Sequence, residues 1–384
     1  MRNWLLPEYI EDVLPAEAAR MEQMRRALLD LFHTHGYQLV IPPMLEYVES
    51  LMSGAGEDLD LATFKVVDLL SGRLMGVRAD ITPQTARMDA HLLNRQGVTR
   101  LCYAGSVLRA RPDGLAQTRE PLQVGAELYG HAGVESDIEI QRLLVQGLRA
   151  VGIENVQLDF SHVGIFRALV QGSKLSEARE QSLLAALQNK DKSALTELTD
   201  GLDAQARAAL LALADLYGGI EVLERAEKTL PAHDEIRRAL RELRAAAEKL
   251  QGEEVRVSFD LGELRGYHYH SGMVFAAYAE GYAKPLALGG RYDEIGSVFG
   301  RARPATGFSL DLRGLATALP PARNGKAILA PYVDDAKLDA KIAELRAAGE
   351  VVIADLPGHE AHRAELGCDR VLVKQGDIWA VVAN

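Results

Sequence analysis

Three polar clusters in this 384-residue chain combine residue types and spacings that could hold a ligand. Residues 101–129 read LCYAGSVLRARPDGLAQTREPLQVGAELY. A short apolar strand leads to Arg109, crosses a turn-rich loop, and returns as a second strand ending in Gln123, Gly125 and Glu127. Residues two apart on a strand share a face, so these three point the same way, with Gly125 leaving room between two hydrogen-bonding side chains. A cationic or NH-bearing group suits that face; a solvated sheet surface with one charge pair is the plainer alternative. The second cluster, Arg78-Ala79-Asp80-Ile81-Thr82, ends a strand at a helix start. Its acid and hydroxyl either cap the helix or receive an ammonium group. The third, Arg265-Gly266-Tyr267-His268-Tyr269-His270-Ser271-Gly272, sets one Arg and four ring side chains between glycines. With no acid or Cys at metal-ligand spacing, an Arg that grips a carboxylate beside aromatic walls is favoured over a metal site. Gly289-Gly290-Arg291-Tyr292-Asp293 reads as a tight turn or a phosphate-facing loop before a helix. Phosphate-loop, GxSxG and HExxH patterns are absent from the sequence.

Several elements must position these groups. Pro15 opens a helix through about residue 35, with Thr82-Pro83 capping another and a third spanning 135–151. Gly36 ends the first helix in a left-handed conformation. YQLVI is a strand stopped by Pro42-Pro43, and a helix runs on through Leu51. SGAGEDLD, residues 53–60, is a loop, and FKVVDLL with RLMGVRA forms a hairpin about Ser71-Gly72. From about 162 to 251 the sequence turns rich in Ala, Leu, Glu and Lys at helical spacing, an inserted helical subdomain. Strands return at VRVSFDL, GMVFAAYA, KPLALGG and TGFSL, with a helix expected from Tyr292. These hairpins and helices indicate an α+β core over residues 1–321, an antiparallel sheet flanked by helices. After a Pro320-Pro321-Ala-Arg-Asn-Gly linker, residues 322–384 alternate strand and helix as a small, largely parallel α/β unit.

Composition bounds the function. Hydrophobic content of 48% and charged content of 25% are ordinary for a globular protein. No apolar run nears the roughly 20 residues that cross a bilayer. Two distant cysteines, Cys102 and Cys368, suit a reducing cytosol and offer neither disulfide nor zinc site. A net charge of −11 argues against a dedicated nucleic-acid binder. A cytoplasmic protein without metal or cofactor is expected.

Taken in order, the motifs resemble the class II aminoacyl-tRNA synthetase core, and within it the histidyl-tRNA synthetases, over about residues 7–320. GYQLVIPPMLE resembles the first class II signature, SVLRA through LQVGAE the second, and GGRYD with ATGFSLDL the approach to the third. VRADIT is similar to the histidine-site segment LRPEGT, and LRGYHYHSGMVF to RGLDYYTGTVF. The resemblance implies a histidine pocket of Asp80, Thr82, Gln123, Glu127, Arg265, Tyr269 and His270, with Arg265 meeting the substrate carboxylate. It also implies a spoiled ATP site. Arg109 stands at the α-phosphate position, but Arg111 replaces the acid that follows it. In the third signature Gly314 stands where a second ATP-binding Arg belongs, and Arg313 is one residue early, rotated by roughly 100° on a helix. Losing one charge-assisted contact of this kind lowers a rate by roughly 100 to 1,000-fold.

A kept amino-acid pocket beside a broken ATP site is similar to the ATP phosphoribosyltransferase regulatory subunits, paralogues of histidyl-tRNA synthetase. That resemblance implies a non-catalytic regulatory subunit. It would dimerise through the class II core, join a short catalytic subunit in the first step of histidine biosynthesis, and transmit feedback inhibition by histidine, with no role for tRNA or membrane. The rival is a divergent histidyl-tRNA synthetase or synthetase-like ligase using the charge of Arg109, Arg119 and Arg291.

Overall fold

The structure, a computed structural model, describes residues 5–51, 57–112, 117–171, 173, 175–250, 255–319 and 327–383. The chain divides into two compact units, one of Met1–Leu14 with Ala18–Leu319 and one of Pro15–Glu17 with Pro320–Asn384.

A nine-stranded sheet organises the first unit. Its spatial order is Gln38–Leu39, Thr99–Ser106, Leu122–Tyr129, Ala305–Asp311, Ala287–Arg291, Met273–Tyr278, Gln157–His162, Arg256–Asp260 and Tyr217–Gly218. The central pairings are antiparallel; Gln38–Leu39 pairs in parallel with Thr99–Ser106 and Arg256–Asp260 in parallel with Gln157–His162. This is the antiparallel-rich α+β core expected from the sequence. Register then decides which residues meet. Glu127 lies opposite Gly307 and Gln123 opposite Asp311. Gly307 lies opposite Gly290, which in turn lies opposite Val274. Directly opposed residues share a face, so one side of the sheet carries Gln123, Glu127, Asp311 and a glycine floor.

The other side carries Val124, Ala126, Phe160, Phe275 and Phe308, all buried. It packs on the helix Pro15–Thr34 through Leu28 and Phe32 and on Val134–Ala150 through Leu144 and Leu148. The Phe32 and Phe308 rings meet edge-on at 5.8 Å. Fully burying one such side chain is worth roughly 1.5–3 kcal/mol, so this apolar side anchors the sheet and leaves the polar side to hold a ligand.

Six helices occupy the stretch Val163 to Leu250. The last, Asp234–Leu250, buries Ile236, Ala239, Leu240, Leu243, Ala246, Ala247 and Leu250 along one stripe. These helices share one hydrophobic cluster with the sheet. Between them Tyr217–Gly218 pairs with Phe259–Asp260 at the sheet edge, a strand too short to show in the sequence pattern.

In this unit four local expectations differ from the structure. Glu57–Ala62 is helical where a loop was expected, and residues 53–56 lie outside the described residues. The strand before Arg109 ends at Ser106, and Arg109 makes a single bridge with Thr63. The helix expected from Tyr292 is a 3-10 turn, Ile295–Phe299. Thr82 does not cap its helix, because its hydroxyl is engaged in the site. The expected hairpin is present as Phe64–Val67 and Leu74–Val77, joined by Leu45–Tyr47 in a separate three-stranded sheet. Gly36 has φ +82°, the left-handed turn expected after the first helix.

The second unit orders Val351–Asp355, Ala327–Pro331, Cys368–Gln375 and Ile378–Ala383, the first three parallel and the last pair an antiparallel hairpin. Its core is Ile328, Ala330, Val352 and Leu372, with Leu338 from the helix Ala336–Ala347. The expected helix at HEAHRAELG is a 3-10 segment, Glu360–Leu366. The Pro320–Gly325 linker lies outside the described residues. No helix among the described residues is long and apolar enough to cross a membrane.

Candidate functional site

Glu127 is the buried centre of the polar face, 1% exposed. Strand alternation turns its carboxylate onto Gly307, where an added Cβ would come within 1.6 Å of Oε2. Three hydroxyls converge on it. Thr82 donates to Oε1 at 3.1 Å and Tyr103 donates to the same oxygen at 3.0 Å. Tyr292 donates to Oε2. Burial nevertheless dominates and pushes the Glu127 carboxyl up to about 8, with the hydroxyls pulling it down and the Asp80 charge adding to the rise.

Asp80 and Gln123 extend this network. Gln123 Nε2 donates to Asp80 Oδ1 at 2.7 Å, and Gln123 Oε1 accepts the Ile81 N–H at 2.9 Å. Asp80 Oδ1 also accepts the Thr82 N–H at 3.0 Å, so the acid serves the helix start and frees the Thr82 hydroxyl for Glu127. Four of the seven expected pocket residues thus form one hydrogen-bonded group.

The other three stand around it. Tyr269 is half-buried, its buried hydroxyl has no hydrogen-bond partner among the described residues, and its ring lies 5.1 Å from that of Tyr292. His270 Nδ1 lies 3.2 Å from the Arg291 carbonyl, so it carries the proton and donates. Burial holds that imidazole down to about 4, neutral near pH 7. Arg265 is half exposed and pairs with Glu263 at 3.5 Å. It lines two cavities on the sheet. One, of about 580 Å³, also has Arg109, Gln123, Lys284, Ser309 and Asp311 in its walls. The other, of about 100 Å³, has Asp159, Ser161 and His270.

The expected phosphate side is dispersed. Arg109 lines the larger cavity. Arg111 is exposed, while Arg119 donates to the Arg109 carbonyl at 3.0 Å and lies over the Phe64 ring. Arg313 is 8% exposed and donates to the Glu11 carbonyl at 2.9 Å. Gly314 faces Asp311, whose Oδ2 would be 2.9 Å from an added Cβ. Arg291 cannot serve phosphates. It is buried against Asp137 at 2.8 Å and donates to the His131 and Gly133 carbonyls. Desolvation leaves Asp137 above its usual range even beside that guanidinium.

Sequence reasoning missed Tyr103, Tyr292 and Asp311. Tyr103 sits opposite Gly125, so strand parity alone could have placed it on the polar face. Tyr292 lay inside a motif noticed only for its glycines and Arg. Among the described residues no group of three or more His, Cys, Asp or Glu could hold a metal.

Comparison with known proteins follows this geometry. A family model described as histidyl-tRNA synthetase matches residues 9–315, and one described as ATP phosphoribosyltransferase subunit HisZ C-terminal domain matches residues 325–382. An ATP phosphoribosyltransferase regulatory subunit of Methylobacillus flagellatus is 65% identical over 383 residues, covering 100% of this chain and 99% of the relative. One from Cupriavidus necator is 58% identical over 380 residues, covering 99% of each. A solved ATP phosphoribosyltransferase regulatory subunit/histidyl-tRNA synthetase from Bacillus halodurans C superposes with a TM-score of 0.83 at 27% identity, covering 94% of this chain and 96% of that one. A histidyl-tRNA synthetase from Nostoc, 18% identical with a TM-score of 0.79 over 100% of this chain and 97% of its own, shares the fold. Fold and site together define a protein of the histidyl-tRNA synthetase class. Within that class the chain belongs to the family of ATP phosphoribosyltransferase regulatory subunits.

Proposed function

We propose that this chain is the non-catalytic regulatory subunit of an ATP phosphoribosyltransferase. It assembles with a short catalytic subunit for the first step of histidine biosynthesis in the cytoplasm, and it carries histidine feedback. The observation that carries this reading is 65% identity to a regulatory subunit along the whole chain. The chain acts as a homodimer through its class II core and binds no tRNA. Histidine sits with its ammonium toward Asp80 and Gln123 and its carboxylate toward Arg265. Glu127, Tyr269 and His270 stand at the ring end.

The spoiled phosphate side supports a role without adenylate chemistry. A synthetase needs cationic groups aimed at the developing phosphate charge, whereas Arg313 and Arg291 are turned to backbone and Asp137. The purified chain is therefore expected to show no histidine-dependent exchange of pyrophosphate into ATP. Exchange above background would restore the synthetase reading.

A further inference from the structure

The larger cavity is walled by opposite charges. Arg109, Arg265 and Lys284 line it, and so does Asp311. Asp311 is no loose surface acid. Its Oδ1 accepts the Arg313 N–H at 3.0 Å and it shares the cavity wall with Arg109; burial raises its carboxyl above the usual range, and the neighbouring N–H groups and the Arg109 charge offset part of that rise. It lies opposite Gln123 in the sheet, and Gln123 is bonded to Asp80, so the amide stands between the acid of this cavity and a second carboxylate behind it. Gly314 belongs to the same arrangement, because a side chain there would bring its Cβ to 2.9 Å from Asp311 Oδ2. The acid and the glycine come as a pair: a long cationic side chain at 314 cannot enter while the carboxylate keeps its place.

We propose that Asp311 is the selectivity residue of this cavity, admitting a zwitterionic amino acid and excluding polyphosphates. Cations on one wall take the carboxylate of the ligand, and Gln123, with Asp311 opposite it and Asp80 bonded to it, takes its ammonium. A diphosphate or triphosphate would set further negative charge against a carboxylate that is partly shielded from water, where like charges repel strongly. Arg109, which would otherwise attract phosphate, shares this cavity with the Asp311 carboxylate. This deepens the histidine-sensing reading and rests on it only for the identity of the amino acid.

The test is isothermal titration calorimetry of the full chain with inorganic pyrophosphate and, separately, with histidine. The native chain is expected to give no measurable heat with pyrophosphate. Asp311→Asn keeps the volume, removes the charge, and should gain pyrophosphate affinity by about tenfold or more, the scale of one partly buried charge interaction. Adding Arg109→Ala should abolish the gain. Asp311→Ser, which retains an acceptor for the Arg313 N–H, replaces the first variant if that one does not fold. A folded Asp311 variant with no gain, or a native chain that binds pyrophosphate as tightly as the variant, overturns the proposal. If histidine fails to bind while the pyrophosphate gain appears, the sensing reading falls and the exclusion role of Asp311 stands. If histidine binds and no gain appears, the reverse holds.

Discussion

Glu127 shows how one residue can couple ligand, charge and stability. Its carboxyl rises from 4.5 to about 8 through burial, so the folded chain holds that proton more tightly than the unfolded chain does. The associated stability is fully present below about 4.5 and is lost as pH rises toward 8. Thermal unfolding of the native chain should therefore show a falling midpoint between about pH 5 and pH 9, and Glu127→Gln should flatten that fall. An equal slope in both proteins would show that another group titrates. The same substitution should weaken the histidine response of the assembled complex without dissolving it, because it removes the titratable carboxyl but little volume; unchanged feedback would place histidine elsewhere. Much of this site was legible in sequence. Strand parity puts Gln123 and Glu127 on one face, and resemblance adds Asp80 and Thr82. What parity cannot supply is the partner from a distant segment. Tyr292 reaches Glu127 across 165 positions of sequence and Asp137 reaches Arg291 across 154. An isolated motif therefore made Arg291 look available when its charge was already used.

At the scale of elements, the site depends on glycines that let side chains lie flat on the sheet. Gly307→Ala would drive a methyl into Glu127 Oε2, and the central strand cannot shift without disturbing Gly290 and Gly125 beside it. Overpacking of this kind costs about 1–3 kcal/mol, read as a lower denaturant midpoint. A midpoint within error of the native value would mean that the carboxylate moves aside freely. The Arg291–Asp137 pair ties the strand Ala287–Arg291 to the helix Val134–Ala150. Asp137→Ala removes the buried carboxylate at 2.8 Å and leaves the guanidinium only the half-buried Asp293 at 3.3 Å, so it should cost up to about 3–5 kcal/mol, whereas a loss under about 1 kcal/mol would show that Asp293 and water compensate. Long periodic elements were the easiest to foresee, such as the helix Pro15–Thr34 with its left-handed Gly36. Short ones were not. Glu57–Ala62 follows a Gly-rich stretch that reads as loop, and the two-residue strand Tyr217–Gly218 owes its existence to the sheet edge it joins.

At the scale of the whole molecule, the chain keeps the architecture of a synthetase, while two arginines of the expected phosphate side are engaged within the protein. Arg313 is tied to backbone, Arg291 to Asp137, and Arg109 lines the cavity that also holds Asp311. What remains is a buried polar sheet face, built into a chain related along its full length to regulatory subunits. Such a chain acts through a partner. The most direct measurement is the rate of phosphoribosyl transfer by the short catalytic subunit as this chain is titrated in, with and without histidine, after the two have been co-purified. The rate should rise to saturation at a fixed ratio of the two chains, and histidine should suppress it. A catalytic subunit that is equally active and equally histidine-sensitive without this chain would contradict the account.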